Sequence, residues 1–467
     1  MEGNQKDCTV EQIVKITGGV LLSGEKEAVI KTFSKDTRTI EEGDFYLGIK
    51  GEKFNGSQFY EEALKRKASG VLVQDVDIPE EILKTYKGKA IIKVKDVVKA
   101  MQQLASYKRS LYNIPVVAIT GSVGKTSTKD IVASVLEEEF DVLKTEGNLN
   151  NHIGLPLTIL KLDHHEAMVI EMGMNNFGEI RTLTNIAKPT LCIITNIGTA
   201  HIGNLGSREN ILKAKLEILE GMEKGGTVLV NNDNDLLHKW AEEQKNATNF
   251  SVVTYGIKNP SDYMAKAINT KEEGSTYEIT IHNKKYTITV PVPGMHFVYN
   301  SLCSIAVGDY YQMEMAKIQQ GIQNFKLTKN RMEIEKIRDN ITLINDAYNA
   351  NLDSMQSALQ YLGSLKNRKI AVLGDMLELG EYGVELHKKV GEEVVKNKID
   401  ILLAVGSLAK YIAEEAIALG MPKENVKYLA TKEEAIKMLN TILTEKDNVL
   451  IKASNSMKFY QIVDYIK

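Results

Sequence analysis

The chain has 467 residues, enough for roughly three domains. Hydrophobic residues make up 43% of it and charged residues 25%, as in a soluble globular protein. The net charge of −3 argues against a broad nucleic-acid-binding surface, so an anionic ligand would need a local basic site. The three scattered cysteines, Cys8, Cys192 and Cys303, indicate neither a disulfide framework nor a zinc motif.

No segment reaches the roughly 20 apolar residues that cross a bilayer. Residues 1–7 also lack the apolar core of a signal peptide. We therefore expect a cytoplasmic protein that does not insert into a membrane.

The alternation of predicted elements divides the chain into three regions. Residues 1–98 contain short strands and helices and end shortly after the apolar run from Ala90 to Val94. Residues 99–327 and 328–467 each alternate apolar strands with helical patterns. Such alternation favours an α/β fold with mostly parallel sheets covered on both faces.

A glycine-rich turn follows the apolar segment from Ile114 to Ala118, which is predicted to be a buried strand. The turn comprises Thr120, Gly121, Ser122, Val123, Gly124, Lys125, Thr126 and Ser127, and a helical pattern follows it. Backbone N–H groups of such a turn close around a phosphate, the lysine adds charge, and the Thr126 hydroxyl can reach a metal ion. The usual spacing has a glycine where Ile119 stands, so this loop is shorter. The turn predicts a nucleoside triphosphate site.

Two further apolar strands of the central region end in polar residues. Glu171 follows the strand from Ala167 to Ile170, and His201 follows the strand from Leu191 to Ile194. Ligands collect at the carboxyl ends of parallel strands, where a carboxylate can hold Mg²⁺. The alternatives are a surface salt bridge for Glu171 and a structural role for His201.

Side chains near these strands offer further polar groups. Asn148, Asn150 and Asn151 suit a polar peptide or sugar, although asparagine is also an ordinary turn residue. Lys213 and Lys215 lie on a predicted helix, and from the residues alone we expect both to face solvent.

The C-terminal region repeats the α/β pattern on a smaller scale and is predicted to be Rossmann-like. Asp346 follows its first strand, where a carboxylate can meet a ribose hydroxyl. Its predicted strands run from Ile341 to Ile344, Ile370 to Leu373, Ile401 to Val405 and Val449 to Ile451.

Together these motifs resemble those of the Mur ligase superfamily of ATP-dependent amide-bond-forming enzymes. The resemblance covers nearly the whole chain and includes the short phosphate loop, Glu171, His201 and the segments 145–154, 346–351 and 373–380. It implies three domains: an N-terminal UDP-substrate-binding domain, a central P-loop ATPase domain with a parallel sheet, and a C-terminal Rossmann-like domain. It also implies ATP and Mg²⁺ as cofactors, UDP-MurNAc-tripeptide and D-Ala-D-Ala as substrates, and a monomer.

The resemblance assigns roles to individual residues. Those implied to be catalytic are Lys125, Glu171, His201 and Lys215, the last as a carbamylated lysine that carries a second Mg²⁺. Those implied to bind metal are Thr126, Glu171, His201 and Lys215. Those implied to bind ATP are residues 120–127, Asn300, Arg331 and Asp346. Those implied to bind the UDP-linked substrate are Ser34, Asp36, Thr37, Arg38, Asn148, Asn150, Asn151, Asn349 and Asn351.

Other functions stay open at this point. A sister ligase would add one amino acid to a muramoyl peptide, or glutamate to folate, and segments 145–154 and 346–351 argue against it. An ATP-binding relative without ligase activity is favoured by departures from the family pattern at Ala347, Leu352 and Asn455. A P-loop signalling NTPase would not need the two extra domains.

Overall fold

The computed structural model describes residues 7–246 and 249–467. The chain forms three α/β units, each built around a mainly parallel sheet. Parallel strands need crossover connections, and the helices in those crossovers bury both faces of the sheet. This explains why the predicted strands are continuous apolar runs. The three-domain architecture expected from the sequence is confirmed.

The N-terminal unit has a five-stranded sheet in the order β2-β7-β6-β5-β4, in which only β2 runs antiparallel to its neighbour. Its elements are β1 (Cys8–Thr9), α1 (Val10–Thr17), β2 (Val20–Ser23), β3 (Val29–Ile30), β4 (Phe33–Ser34), β5 (Phe45–Leu47), α2 (Tyr60–Lys65), β6 (Gly70–Val73), α3 (Glu80–Thr85) and β7 (Ala90–Lys93).

The central unit has a wholly parallel seven-stranded sheet in the order β14-β13-β12-β11-β8-β10-β9. Because β11, β8 and β10 are neighbours, the loops after them meet at one edge. Its elements up to α10 are α4 (Val97–Ser110), β8 (Val116–Thr120), α5 (Lys125–Leu136), β9 (Val142–Lys144), α6 (Gly154–Ile159), β10 (Ala167–Glu171), α7 (Glu179–Ala187), β11 (Leu191–Ile194), α8 (Ile202–Leu205), α9 (Arg208–Leu216), β12 (Thr227–Asn231) and α10 (Asp235–Glu243).

The remainder of the central unit includes a small antiparallel sheet, β15-β16-β17, that the sequence analysis did not predict. Helix α11 carries eleven buried residues and packs against α5. These elements are β13 (Ser251–Gly256), β14 (Tyr263–Met264), β15 (Lys266–Lys271), β16 (Gly274–Ile281), β17 (Lys284–Val290), α11 (Met295–Tyr310) and α12 (Met315–Asn324).

The C-terminal unit has a six-stranded sheet in the order β18-β19-β23-β20-β21-β22, parallel except for β18. Strand β23 lies between β19 and β20, so the three loops after these strands are adjacent. Its elements are β18 (Glu333–Lys336), β19 (Thr342–Asn345), α13 (Leu352–Ser364), β20 (Lys369–Gly374), α14 (Gly383–Lys396), β21 (Ile401–Val405), α15 (Lys410–Ala418), β22 (Val426–Leu429), α16 (Lys432–Ile442), β23 (Asn448–Lys452) and α17 (Tyr460–Ile466).

The connections between sheets lie near the expected domain limits. Strand β7 ends at Lys93 and β8 begins at Val116, while α12 ends at Asn324 and β18 begins at Glu333. We propose domain divisions near residues 98 and 327 on this basis.

Cys8, Cys192 and Cys303 are buried and free, as expected from their spacing. Over residues 7–246 and 249–467, no helix has both the length and the apolar character required to cross a bilayer.

Candidate active site

A cavity of about 420 Å³ is lined by residues of both the central and the C-terminal unit. One wall is the phosphate loop with the ends of β10 and β11, and the other is formed by the loops after β19, β20 and β23. A smaller cavity of about 290 Å³ shares several residues with it and extends along the C-terminal wall. We call these two spaces the main cavity and the side cavity.

The phosphate loop is held in place by the loop that follows β11. Val123 donates its backbone N–H to Asn196 Oδ1 at 2.8 Å. A Cβ at Gly121 would lie only 1.8 Å from Thr195 Oγ1, so only glycine fits this close approach. Gly124 has φ of +86° and is the N-cap residue of α5. The sequence therefore folds into a turn whose N–H groups stand at a helix N-terminus, where anions bind.

Lys125 lies between the phosphate loop and the acidic end of β10. Its Nζ donates to Gly121 O at 2.8 Å. Burial lowers the pKa of Lys125, and the nearby carboxylate of Glu171 offsets part of that effect. A bound phosphate would restore the charge balance of this buried amine.

Glu171 is 2% exposed at the end of β10. Its two oxygens accept hydrogen bonds from Thr126 Oγ1 at 2.9 Å and Asn150 Nδ2 at 2.7 Å. The alternative of a surface salt bridge is therefore wrong. A carboxylate beside a hydroxyl is the oxygen-rich donor set that Mg²⁺ prefers, so these residues fit the metal.

His201 faces a residue of the other wall. Its Nδ1 lies 2.9 Å from Oε2 of Glu378, and both residues have left-handed backbones, with φ of +63° and +64°. Contact with His201 lowers the pKa of Glu378. The pair joins the loop after β11 to the turn after β20.

Lys215 is the clearest departure from reasoning on the residues alone. It was expected to face solvent with Lys213, but it is 2% exposed, whereas Lys213 is exposed. Helix α9 turns Ile211, Ala214 and Lys215 inward together. Among the residues that the structure describes, no carboxylate pairs with the Lys215 amine. Burial, and then repulsion by Lys125, lower its pKa well below the usual value.

On the C-terminal wall, Asp346 and Lys452 form a buried ion pair. Asp346 follows β19 and Lys452 is the last residue of the neighbouring parallel strand β23, which explains their meeting. Lys452 Nζ also donates to Asn349 O at 3.0 Å, and Met332 N donates to Asp346 Oδ1 at 3.1 Å. The positive charge of Lys452 is therefore balanced by Asp346 within the C-terminal wall.

Arg331 connects the two walls. Its guanidinium carbon lies 3.8 Å from the centre of the Tyr348 ring, and Nη2 donates to Thr126 Oγ1 at 3.4 Å. Its Nε is buried without a hydrogen-bond partner.

Two residues of α11 present further buried polar atoms to the main cavity. Asn300 Oδ1 accepts from Thr128 Oγ1 at 3.1 Å. Within the part of the chain that the structure describes, neither Asn300 Nδ2 nor His296 Nε2 has a hydrogen-bond partner. Burial lowers the pKa of His296 to about 4, so the ring is neutral at neutral pH. Buried polar atoms without partners are rare in native proteins and fit a site completed by a ligand.

The structure brings most of the predicted site residues around these cavities, although their individual roles stay predictions. The residues that line at least one cavity are Ser122, Val123, Gly124, Lys125, Thr126, Ser127, Asn148, Asn150, Asn151, Glu171, His201, Asn300, Arg331, Asp346, Asn349 and Asn351. Asn351 also has a structural task, because its Oδ1 accepts from Ser354 N and caps α13.

The remaining predicted residues lie elsewhere. Thr120, Gly121 and Lys215 line neither cavity, and the Thr120 hydroxyl donates to Met172 O at 2.9 Å. The predicted substrate residues of the N-terminal unit, Ser34, Asp36, Thr37 and Arg38, also line neither cavity. Arg38 instead pairs with Asp36 through two hydrogen bonds of 2.9 and 2.6 Å, which lower the pKa of Asp36 to about 2.

Several cavity residues received no role in the sequence analysis, among them His296, Glu378 and Lys452. Lys452 ends an apolar strand, as Glu171 does, so the same rule would have indicated it. Glu378 lies in segment 373–380, which the family resemblance included without giving Glu378 a role of its own. His296 carried no comparable signal.

Comparison with known proteins agrees with this arrangement. Three family models match: the Mur ligase family catalytic domain at residues 29–109, the Mur ligase middle domain at 119–308 and the Mur ligase glutamate ligase domain at 330–455. The UDP-N-acetylmuramoyl-tripeptide–D-alanyl-D-alanine ligase of Bacillus subtilis is 37% identical over 97% of both chains. The chain belongs to the Mur ligase family.

Further relatives have the same name and comparable length. The ligase of that name from Escherichia coli is 30% identical, with 97% of each chain covered. The crystal structure of MurF from Acinetobacter baumannii superposes with a TM-score of 0.88 at 27% identity, covering 98% of each chain. The structure of Thermotoga maritima MurF in complex with ADP superposes with a TM-score of 0.80 at 25% identity, covering 94% of this chain and 97% of that one.

Proposed function

We propose that this Mur ligase uses ATP to join D-Ala-D-Ala to UDP-MurNAc-tripeptide, giving UDP-MurNAc-pentapeptide for peptidoglycan synthesis. The observation that carries the proposal is the full-length match to ligases named for this reaction. The cavity supports it, because a phosphate loop, a buried carboxylate and a bridging arginine lie in one space. Sister ligases that act on folate or add single amino acids remain less favoured.

In the first proposed step, the terminal carboxylate of the tripeptide attacks the γ-phosphorus of ATP. A new C–O–P linkage forms, the β,γ-bridging bond breaks, and ADP leaves with an acyl phosphate in its place. Both reactants are anions, so neutralising their charge is the main task. Lys125 and Arg331 are the cations that line both cavities, and they would perform it.

In the second step, the ammonium group of D-Ala-D-Ala first loses a proton to water, and the neutral amine attacks the acyl carbon. The bond between the acyl carbon and the phosphate oxygen breaks, inorganic phosphate leaves, and the second proton of the nitrogen passes to water or to the leaving phosphate. The walls of the two units would hold the amine and the acyl phosphate together and exclude water, which would otherwise hydrolyse the intermediate.

Thr126, Glu171 and His201 would hold Mg²⁺, together with a carbamylated Lys215. The metal would supply Lewis-acid neutralisation of the phosphate oxygens. Burial of Lys215 without an anionic partner favours its neutral amine, which is the form that adds CO₂ with release of a proton. The resulting carbamate would offer oxygen ligands where the amine offers none.

The other predicted partners follow from the same proposal. Ser34, Asp36, Thr37 and Arg38 would contact the UDP part of the substrate from the N-terminal unit, and Asn148, Asn150 and Asn151 its peptide part. ATP would bind to residues 120–127, Asn300, Arg331 and Asp346. A monomer in the cytoplasm is the expected state.

The test is phosphate release from ATP and Mg²⁺, with UDP-MurNAc-tripeptide and D-Ala-D-Ala omitted in turn. We expect release only when both are present, together with the mass of the pentapeptide product. ATP binding without release under any combination would overturn the proposal and favour a relative without ligase activity. Release with a single amino acid in place of the dipeptide would indicate a sister ligase.

A further inference from the structure

Glu378 lies in the turn between β20 and α14 and lines both the main and the side cavity. Its backbone has φ of +64°, a left-handed conformation that residues with a side chain avoid. Such conformations persist where the surrounding structure imposes them, and they cluster at functional sites.

Contacts with the central unit impose the left-handed backbone conformation of Glu378. Gly203 of the central unit packs so closely on the turn that a Cβ there would lie 2.6 Å from Gly380 N. Tyr382, two residues further along, donates its hydroxyl to Gly206 O at 2.7 Å. Contact between the two units therefore sets the position of the Glu378 carboxylate.

The carboxylates that line the cavities differ in the number of hydrogen bonds that their oxygens already accept. Glu171, Glu179 and Asp346 each accept hydrogen bonds from at least two donors, whereas His201 is the one contact that the described residues make to the Glu378 carboxylate. The Glu378 side chain is also 56% exposed, so one oxygen is accessible to a ligand.

The substrates of the proposed reaction differ in charge. The carboxylate and the phosphates are anions, and Lys125 and Arg331 face them. The third substrate arrives as a primary ammonium ion, which needs a carboxylate that still has capacity to accept hydrogen bonds. Among the cavity residues, Glu378 meets that requirement.

We propose that Glu378 binds the ammonium group of the incoming D-Ala-D-Ala and orients its nitrogen toward the acyl phosphate. This inference rests on the proposed function. Because Glu378 reaches the cavity only through the contact between the two units, amine binding and closure of the units are linked.

The experiment compares wild type with Glu378→Gln in steady-state pentapeptide synthesis. We expect the KM for D-Ala-D-Ala to rise about 10- to 100-fold, because a charge-assisted hydrogen bond is lost. The KM for ATP and the dependence on Mg²⁺ concentration should stay unchanged. Positional isotope exchange in ATP, which reports acyl phosphate formation without the dipeptide, should also stay within a few-fold of wild type.

The matched control is Glu381→Gln, since Glu381 is exposed on the following turn and lines neither cavity. Its kinetics should equal those of wild type. An unchanged KM for the dipeptide in Glu378→Gln would overturn the inference, and so would a shift in Mg²⁺ dependence alone, because Glu378 would then act on the metal site. Wild-type protein that makes no pentapeptide would overturn the proposed function itself.

Discussion

The C-terminal and the central units treat a buried lysine differently. On the C-terminal wall, Lys452 is 2% exposed and has a carboxylate partner in Asp346. In the central unit, Lys215 is equally buried, and burial together with repulsion by Lys125 lowers its pKa. Burying an unpaired cation is costly. The buried lysine of the C-terminal unit thus has its own counter-ion, whereas the described residues provide none for Lys215.

The largest expected effect tests the central side of this comparison. Lys215→Met removes the amine that would carry a carbamate, and we expect phosphate release to fall by about 1,000-fold or more. Stability should be kept or raised, because a buried amine without a carboxylate partner is replaced by an apolar side chain. Activity assays and urea unfolding measure the two effects. Lys213→Met, on the exposed face of the same helix, is the control, and near-normal activity in Lys215→Met would contradict the proposed role.

The second prediction breaks the pair on the other wall. Asp346→Asn leaves Lys452 buried without its carboxylate and should lower the free energy of unfolding by about 3–5 kcal/mol. Urea denaturation measures this. The double variant Asp346→Asn/Lys452→Met should recover most of the loss. A loss below about 1 kcal/mol would mean that the pair does not balance this wall.

The third prediction concerns how stability depends on pH through His296, a residue of α11 that lines the main cavity. The pKa of His296 falls from 6.5 to about 4 on folding, so the unfolded chain takes up the proton first as the pH drops. Stability contributed by the neutral ring is complete above pH 6.5 and declines toward pH 4. His296→Gln should therefore lose about 2 kcal/mol less than wild type between pH 7 and pH 4.5.

Unfolding free energies at the two pH values provide the measurement for His296. His152→Gln, at an exposed histidine, is the control and should retain the wild-type pH dependence. Equal losses in wild type and His296→Gln would show that the ring is not shielded in the folded protein.

The smallest expected effect concerns a contact that joins the two units. Asp353 of α13 accepts hydrogen bonds from the backbone N and the hydroxyl of Thr199, at 3.0 and 3.3 Å. Asp353→Ala should weaken this contact by about 1 kcal/mol and raise the KM for ATP about 5-fold, with kcat little changed. Steady-state kinetics test this, and Gln360→Ala, at an exposed position of the same helix that lines neither cavity, should behave as wild type.

Local pattern was sufficient for most of the fold. Strands β11 and β21 have the bounds that were predicted, and the other predicted strands of the two large sheets agree within about two residues. Strands β9, β13, β14, β18 and β22 were not predicted. The small sheet β15–β17 was not predicted, because its strands are partly exposed and lack a continuous apolar run. A strand that is buried on both faces has a continuous apolar run that can be recognised in the sequence, whereas the strands of a half-exposed sheet lack such a run.

The residues of the candidate site also differ in whether the local sequence is enough to predict their positions. Lys125, Thr126 and Glu171 could be identified because a phosphate loop or a parallel strand end places them by local sequence alone. Lys215 was misjudged, since its burial depends on what packs over α9 and not on its neighbours in the chain.

By itself, the sequence determined the phosphate loop, the polar residues at the ends of the parallel strands and the motifs of the family resemblance. Each of these motifs consists of residues a few positions apart in the chain. The tertiary structure alone decided that Lys215 is buried, that Lys452 meets Asp346, and that Glu378 reaches His201 across the two units. These contacts join residues up to 177 positions apart, as between His201 and Glu378, and only the packing of whole sheets brings such residues together.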